Sequence, residues 1–173
     1  MYESFYGFRE KPFSLTPDPR YFYPSPCHAN ALELVQHGSQ TSRALTVVTG
    51  TSGTGKTTTC RTILESLDRK TFTSLVLNPY VSEEDLLRLI LQDFGVIDAP
   101  LQVVLVGQLG LTERLRAPAL RPLDKRVTIR YRLRPLSAGD TAGYVLHRLS
   151  IAGANDRSVV FTPKALQRVH RGT

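Results

Sequence analysis

Apolar positions along the chain fall into short continuous runs separated by amphipathic stretches. Ala44-Leu45-Thr46-Val47-Val48 is short, β-branched and nearly unbroken, the pattern of a strand covered on both faces of a parallel sheet. Phe72 to Leu77 and Leu101 to Val106 read the same way. Val127 to Tyr131 alternates instead, with Val127, Ile129 and Tyr131 set against Thr128 and Arg130. Between these runs the period lengthens to that of a helix. From Ala29 to Leu34 the pattern turns helical, with Ala31, Leu32 and Val35 on one face. Thr57 to Leu67 carries Ile63, Leu64 and Leu67 at helical spacing. Ser82-Glu83-Glu84-Asp85 is a capping start for a helix bearing Leu86, Leu87, Leu89, Ile90, Leu91 and Phe94. Leu111 to Leu115 is a short helix. After Leu133-Arg134-Pro135 the strands stop: Ser137-Ala138-Gly139-Asp140 caps a helix through Leu149, and Thr162 caps another that begins at Pro163. Strands alternating with helices, then helices alone, predict an α/β fold with a parallel sheet and a small helical appendix.

The first forty residues differ. Tyr2, Phe5, Tyr6, Phe8 and Phe13 precede Thr16-Pro17-Asp18-Pro19-Arg20-Tyr21-Phe22-Tyr23-Pro24. Prolines at 12, 17, 19, 24 and 26 prevent a continuous helix, so this segment is expected to be an extended arm whose rings pack onto the body of the protein. The predicted division is an arm and first helix over 1–40, an α/β core over 41–134 and a partial helical lid over 135–173.

At 173 residues, with 41% hydrophobic and 21% charged side chains, the chain suits one globular domain rather than a disordered or collagen-like one. The longest apolar candidate, Val103 to Val106, is far short of the roughly 18 to 20 residues that a membrane span needs. Met1 to Tyr6 has neither a basic nor an apolar leader character, so the expected compartment is the cytoplasm. Cys27 and Cys60 form no Cys-x-x-Cys, and His28, His37, His147 and His170 are too scattered to suggest metal ligation. The 22 basic and 15 acidic residues leave a net charge of +7, and its placement is uneven. Residues 1–100 carry 9 basic and 11 acidic side chains, whereas residues 101–173 carry 13 and 4. The positive excess, with its bias toward anionic partners, therefore lies wholly in the last two fifths.

One motif carries chemistry. Gly50-Thr51-Ser52-Gly53-Thr54-Gly55-Lys56-Thr57 fits G-x-x-x-x-G-K-[ST], directly follows a predicted strand and opens a predicted helix. Glycines let the backbone turn tightly and approach a polyphosphate, so that successive N–H groups form an anion nest. Lys56 adds a positive charge, the following helix contributes the positive end of its dipole, and the Thr57 hydroxyl can complete a Mg²⁺ shell. Thr58 is a second, weaker contact. A nucleotide polyphosphate with Mg²⁺ is the expected ligand. Hydrolysis would also need a carboxylate after a buried strand, and no apolar run of four is followed by Asp-Glu or Asp-Asp. The nearest fragment, Val96-Ile97-Asp98, runs into Ala99-Pro100 and reads as a turn.

In combination, several segments resemble the ExeA/GspA-like AAA+ ATPases of type II secretion and related bacterial surface systems. They are Tyr2 to Phe8, Lys11 to Arg20, His28 with Ala31-Leu32, the phosphate loop, Leu101 to Gln108, and Arg132-Leu133-Arg134-Pro135-Leu136-Ser137. The resemblance implies a P-loop NTPase (AAA+) three-layer parallel sheet core, a truncated helical lid, and a homo-oligomer at the inner face of the inner membrane through a secretion-system partner. It implies that the arm lies against the adenine side of the site. It also implies that Gln108, ending a central strand, matches the sensor-1 polar residue; a simple strand-end hydrogen bond is the alternative. Arg121 or Arg126 would be the arginine presented to a neighbouring subunit's nucleotide. Two departures accompany it: the Walker B strand expected between Phe94 and Leu101 is missing, with only Gly95 to Pro100 there, and the lid breaks off at Thr173. Leu109-Gly110 also replace the family's Pro-Glu.

Three functions stand against one another on this reading. The first is an ATPase subunit serving assembly of a secretion or envelope complex. The second is a nucleotide-binding module without appreciable hydrolysis. The third is a DNA-binding ATPase of the transposition-helper kind, for which Arg130, Arg132 and Arg134 on one strand face would track phosphates.

Overall fold

The computed structural model describes residues 2–16, 18–40, 45–66, 103–154 and 159–172. Its elements, in chain order, are α1 (Tyr2–Tyr6), α2 (Pro26–Gln40), β1 (Leu45–Gly50), α3 (Lys56–Ser66), β2 (Val103–Gly107), α4 (Gly110–Leu115), α5 (Arg121–Asp124), β3 (Val127–Leu133), α6 (Ala138–Ile151) and α7 (Pro163–Arg171). The strand predicted over Phe72–Leu77, the helix opened by Ser82 and the stretch around Asp98 lie outside the described residues.

The three strands form a parallel sheet in the order β2-β1-β3. All six residues of β1 are buried, as the unbroken apolar run requires of a strand covered on both faces. Val48 packs with Ala31 and Val35 of α2, Ile63 of α3 and Leu133 on one side of the sheet. Val47, the next residue back and thus on the opposite side, packs with Leu115 and Leu120. Helices on both faces make the three-layer α/β arrangement.

β3 departs from its simple alternation. Leu45 pairs with Val127 but Thr46 pairs with Ile129, so Thr128 is an extra residue in the ladder. That irregularity turns Val127 to the Leu115 side while Tyr131 and Leu133 stay on the Val48 side. The strand also continues to Leu133, two residues past the predicted end.

The last two helices follow their sequence signals closely. Ser137 Oγ accepts from Asp140 N (3.1 Å), and the Asp140 carboxylate accepts from Ser137 N (3.3 Å), a reciprocal capping box at the start of α6. Thr162 Oγ1 accepts from Ala165 N (3.3 Å), with Pro163 in the first turn of α7. Replacing Ser137 by Ala removes the acceptor for one end donor. The expected cost is about 1 kcal/mol, read as a lower denaturant midpoint at unchanged slope.

The arm is not the extended segment that its prolines predicted. Tyr2–Tyr6 forms a short helix closed by Phe8 N donating to Glu3 O (2.8 Å), with Gly7 at φ 71°. Pro19–Tyr21 forms a 3₁₀ turn capped by Asp18. Both prolines of Pro24 and Pro26 lie at or before the start of α2, where a missing N–H costs nothing, so α2 begins three residues earlier than the apolar pattern indicates. The arm's rings do pack onto the body, chiefly on α6: Tyr23 meets Tyr144 (6.4 Å) and His147 (5.8 Å), and Phe13 meets Phe161 (6.3 Å). Gly143 permits this approach, because a Cβ there would collide with the Tyr23 hydroxyl. Arg148 of α6, buried, donates to the carbonyls of Pro12 and Ser14 and lies 4.4 Å from the Tyr21 ring centre.

Candidate functional site

β1 ends at Gly50 and α3 starts at Lys56, so the five residues between them form the loop that the motif predicted. Gly53 and Gly55 hold φ of +79° and +77°, a region that L side chains rarely enter and that lets neighbouring N–H groups turn toward one side. Thr51, Ser52 and Gly53 are exposed at the tip. Thr51 O draws the loop together: it accepts from Thr54 Oγ1 (2.8 Å) and from Lys56 Nζ (2.6 Å). Burial pushes the Lys56 ammonium below its ordinary pKa, so a nearby anion would favour the charged form.

Thr57 is exposed in the first turn of α3, with its hydroxyl beside the positive end of the helix. Thr58 is half-buried one position on, and its carbonyl accepts from Thr62 Oγ1 (3.0 Å) within the helix. The donor set fits a polyphosphate: loop amides, one ammonium and a helix start converge at the carboxyl end of β1. Thr57 is the hydroxyl that could hold Mg²⁺ were it to bind beside the loop. Among the described residues no group of three His, Cys, Asp or Glu side chains could hold a metal by itself.

The sheet register places the other candidates. Thr49 pairs with Gly107, so exposed Gln108, the next residue, emerges at the same end of the sheet as the phosphate loop. Among the described strands β2 lies next to β1, so Gln108 ends the strand adjoining the one that carries the loop. Its backbone carbonyl accepts from Leu111 N (3.0 Å), opening α4. Arg121 and Arg126 precede Val127, which pairs with Leu45 at the opposite end. With about 3.3 Å per residue, the length of β1 alone puts the Arg126 backbone about 17 Å from the loop. Both are exposed. Arg126 therefore does not join Lys56 and Gln108 within one copy of the chain.

Two further features lie beside the loop. A cleft of about 610 Å³ beside the loop is lined by Thr51, Tyr131, Arg132, Leu133, Arg134 and Pro135. Its two exposed arginines bring cationic side chains to the rim next to the anion nest. Arg130, which shared their alternation in sequence, is instead held by the Asp124 carboxylate (2.8 Å). The second feature is His28 of α2, buried, whose Nε2 lies 2.9 Å from Thr54 O in the loop and whose Nδ1 lies 2.7 Å from Ser25 Oγ. Sequence spacing signals neither, because both depend on where α2 and β3 pack against β1.

A family profile described as AAA domain matches residues 39–99, which include the phosphate loop. General secretion pathway protein A of Aeromonas hydrophila is 35% identical over 227 aligned positions, taking in 99% of this chain and 41% of that protein. The chain thus spans about two fifths of the length of the curated relative it matches. An alignment of 227 positions against 173 residues leaves at least 54 positions with no counterpart here.

Proposed function

We propose that this chain, which matches an AAA domain profile over residues 39–99, is a P-loop NTPase that binds ATP with Mg²⁺ as an ATPase subunit of a secretion or cell-envelope assembly. The observation that carries the proposal is the loop itself: Gly53 and Gly55 in the left-handed region, Lys56 folded over Thr51 O, and Thr57 exposed at the start of α3. Lys56 holds phosphate oxygens. Thr57 helps to hold Mg²⁺, which when bound neutralises charge on the phosphates. Gln108 reaches the terminal phosphate from the adjoining strand end. Arg132 and Arg134 give the rim a positive potential that favours an anionic nucleotide.

Arg121 and Arg126 serve a different subunit. Arg126, next to the start of β3 at the end of the sheet away from the loop, and the exposed Arg121 suit contact with a neighbour's nucleotide in a homo-oligomer, one of the two acting as the finger. The compartment is the cytoplasm, at the inner face of the inner membrane through a secretion-system partner; no described helix is long and apolar enough to cross a membrane. The DNA reading has less support, because one of its three arginines is occupied by Asp124 and the other two line the cleft beside the phosphate loop.

A second reading has a specific observation behind it. No apolar run in the sequence ends in paired carboxylates, and the relative has at least 54 positions to which this chain has no counterpart. A module that binds ATP without turnover would result. Calorimetric titration with Mg·ATP and phosphate release, measured over a range of protein concentrations, separate the two. Binding with turnover that rises per subunit as the protein is concentrated supports an oligomeric ATPase. Micromolar binding with no release above background leaves the binding module, and absence of binding removes both.

A further inference from the structure

We infer that His28 is a positioning residue of the phosphate loop: it fixes the orientation of the Thr54–Gly55 peptide and so aims the Gly55 N–H at the bound phosphates. The inference rests on the ATP reading above and concerns a residue outside the loop motif. A carbonyl oxygen only accepts, so the 2.9 Å contact to Thr54 O makes His28 Nε2 the donor. In the neutral ring Nδ1 is then the acceptor, and Ser25 Oγ donates to it at 2.7 Å. Both ring nitrogens are satisfied and the ring is buried, with Phe22 edge-on at 6.0 Å, so its orientation is held from three sides.

The consequence follows from the planarity of the peptide unit. In a trans peptide the C=O and the N–H point in opposite directions, so a carbonyl pulled toward α2 sends the N–H of the same unit away from it. That N–H belongs to Gly55. Among the described residues it donates to no protein acceptor, whereas Thr54 N and Thr59 N on either side donate to Thr51 O and Gly55 O. Gly55 is also the residue whose conformation leaves the unit free to turn, at φ +77°, and a Cβ there would lie 3.2 Å from His28 Nε2. The ring therefore sits directly behind the peptide that it holds. Without it, rotation of the unit would turn a carbonyl oxygen toward the phosphates in place of a donor, and a developing negative charge would meet repulsion.

The test uses the full chain, Mg·ATP calorimetry, and ¹⁵N-glycine labelling to follow the Gly55 amide. In the parent protein the Gly55 resonance is expected to move strongly downfield as ATP binds. His28→Ala is expected to weaken binding at least about 10-fold, which is about 1.4 kcal/mol, and to abolish that shift. His28→Gln, whose amide nitrogen reaches close to the Nε2 position, is expected to stay within about threefold of the parent and to keep the shift. His28→Asn, one bond shorter, should behave as the alanine variant does. Should His28→Ala fail to fold, the Gln and Asn pair decides. Equal ATP affinity in parent and His28→Ala overturns the inference and leaves the ATP reading intact. Equal weakening in Gln and Asn variants, each with the Gly55 shift retained, overturns it too, since the histidine would then serve packing alone. A parent protein that binds no ATP removes both.

Discussion

Lys56→Ala is expected to weaken Mg·ATP binding by about 100-fold while the folded protein loses almost nothing. A hydrogen bond between an ammonium and a phosphate contributes roughly 1.5 to 3 kcal/mol, which corresponds to about 10- to 150-fold in affinity. Lys56 is the single ammonium that the loop provides, so the upper part of that range applies. Its internal contact is one hydrogen bond to Thr51 O, and it contributes to neither apolar cluster. The thermal midpoint should therefore stay within a few degrees of the parent. Calorimetry at 0.15 M salt and a thermal melt of each protein check the two halves. A loss below threefold would mean that phosphates are not held where the motif places them. The pH dependence has a definite sign. Phosphate favours the charged side chain, whose pKa in the free protein is already lowered by burial. Binding is thus linked to proton uptake, and affinity falls as pH rises through the pKa of free Lys56 at the alkaline end.

Arg148→Ala should produce the largest loss of stability, about 3 kcal/mol. The guanidinium is buried and is met by carbonyl oxygens and ring faces: the Pro12 and Ser14 carbonyls, Tyr21 at 4.4 Å and Tyr144 at 5.6 Å. Truncation leaves two acceptors without donors, forfeits the cation–π contacts and opens a void between the arm and α6. Arg148→Lys keeps a charge and one donor but not the plane that stacks on Tyr21, so it should fall between the two. Urea unfolding gives the free energy, and limited proteolysis reports whether the arm detaches first. A change under about 0.5 kcal/mol would show that the arm is held by its aromatic contacts and not by this side chain.

How much of this was legible in the sequence depended on the range of the interaction involved. The phosphate loop, the capping box at Ser137 and the Thr162-Pro163 start are local devices, written within eight residues or fewer, and they stand where expected. The buried run of β1 was equally legible, since covering both faces demands continuous apolar residues. The irregularity at Thr128 was not, because a strand's alternation gives no sign of the neighbour's register. His28 was named only among the residues that carry the family resemblance; its contact with the loop stayed hidden for the same reason, since α2 must be seen to pack behind the loop. Arg130, Arg132 and Arg134 shared one pattern but have different surroundings, one facing Asp124 and two lining the cleft. The arm was misjudged locally, since proline forbids helix only after its first turn and leaves room for Tyr2–Tyr6 and the Pro19–Tyr21 turn.

The middle position of β1 also bears on when the site comes into being. Leu45 finds one partner, Val103, 58 residues downstream and the other, Val127, 82 residues downstream. Both closures cost chain entropy before any ladder bond rewards them, which places this sheet among topologies that fold slowly. During synthesis the phosphate loop leaves the ribosome early, yet the strand that carries it cannot be enclosed on both sides until Leu133 has emerged. Nucleotide can therefore stabilise the finished domain but cannot guide its early steps, and refolding rates should be insensitive to ATP while unfolding rates fall as ATP is added.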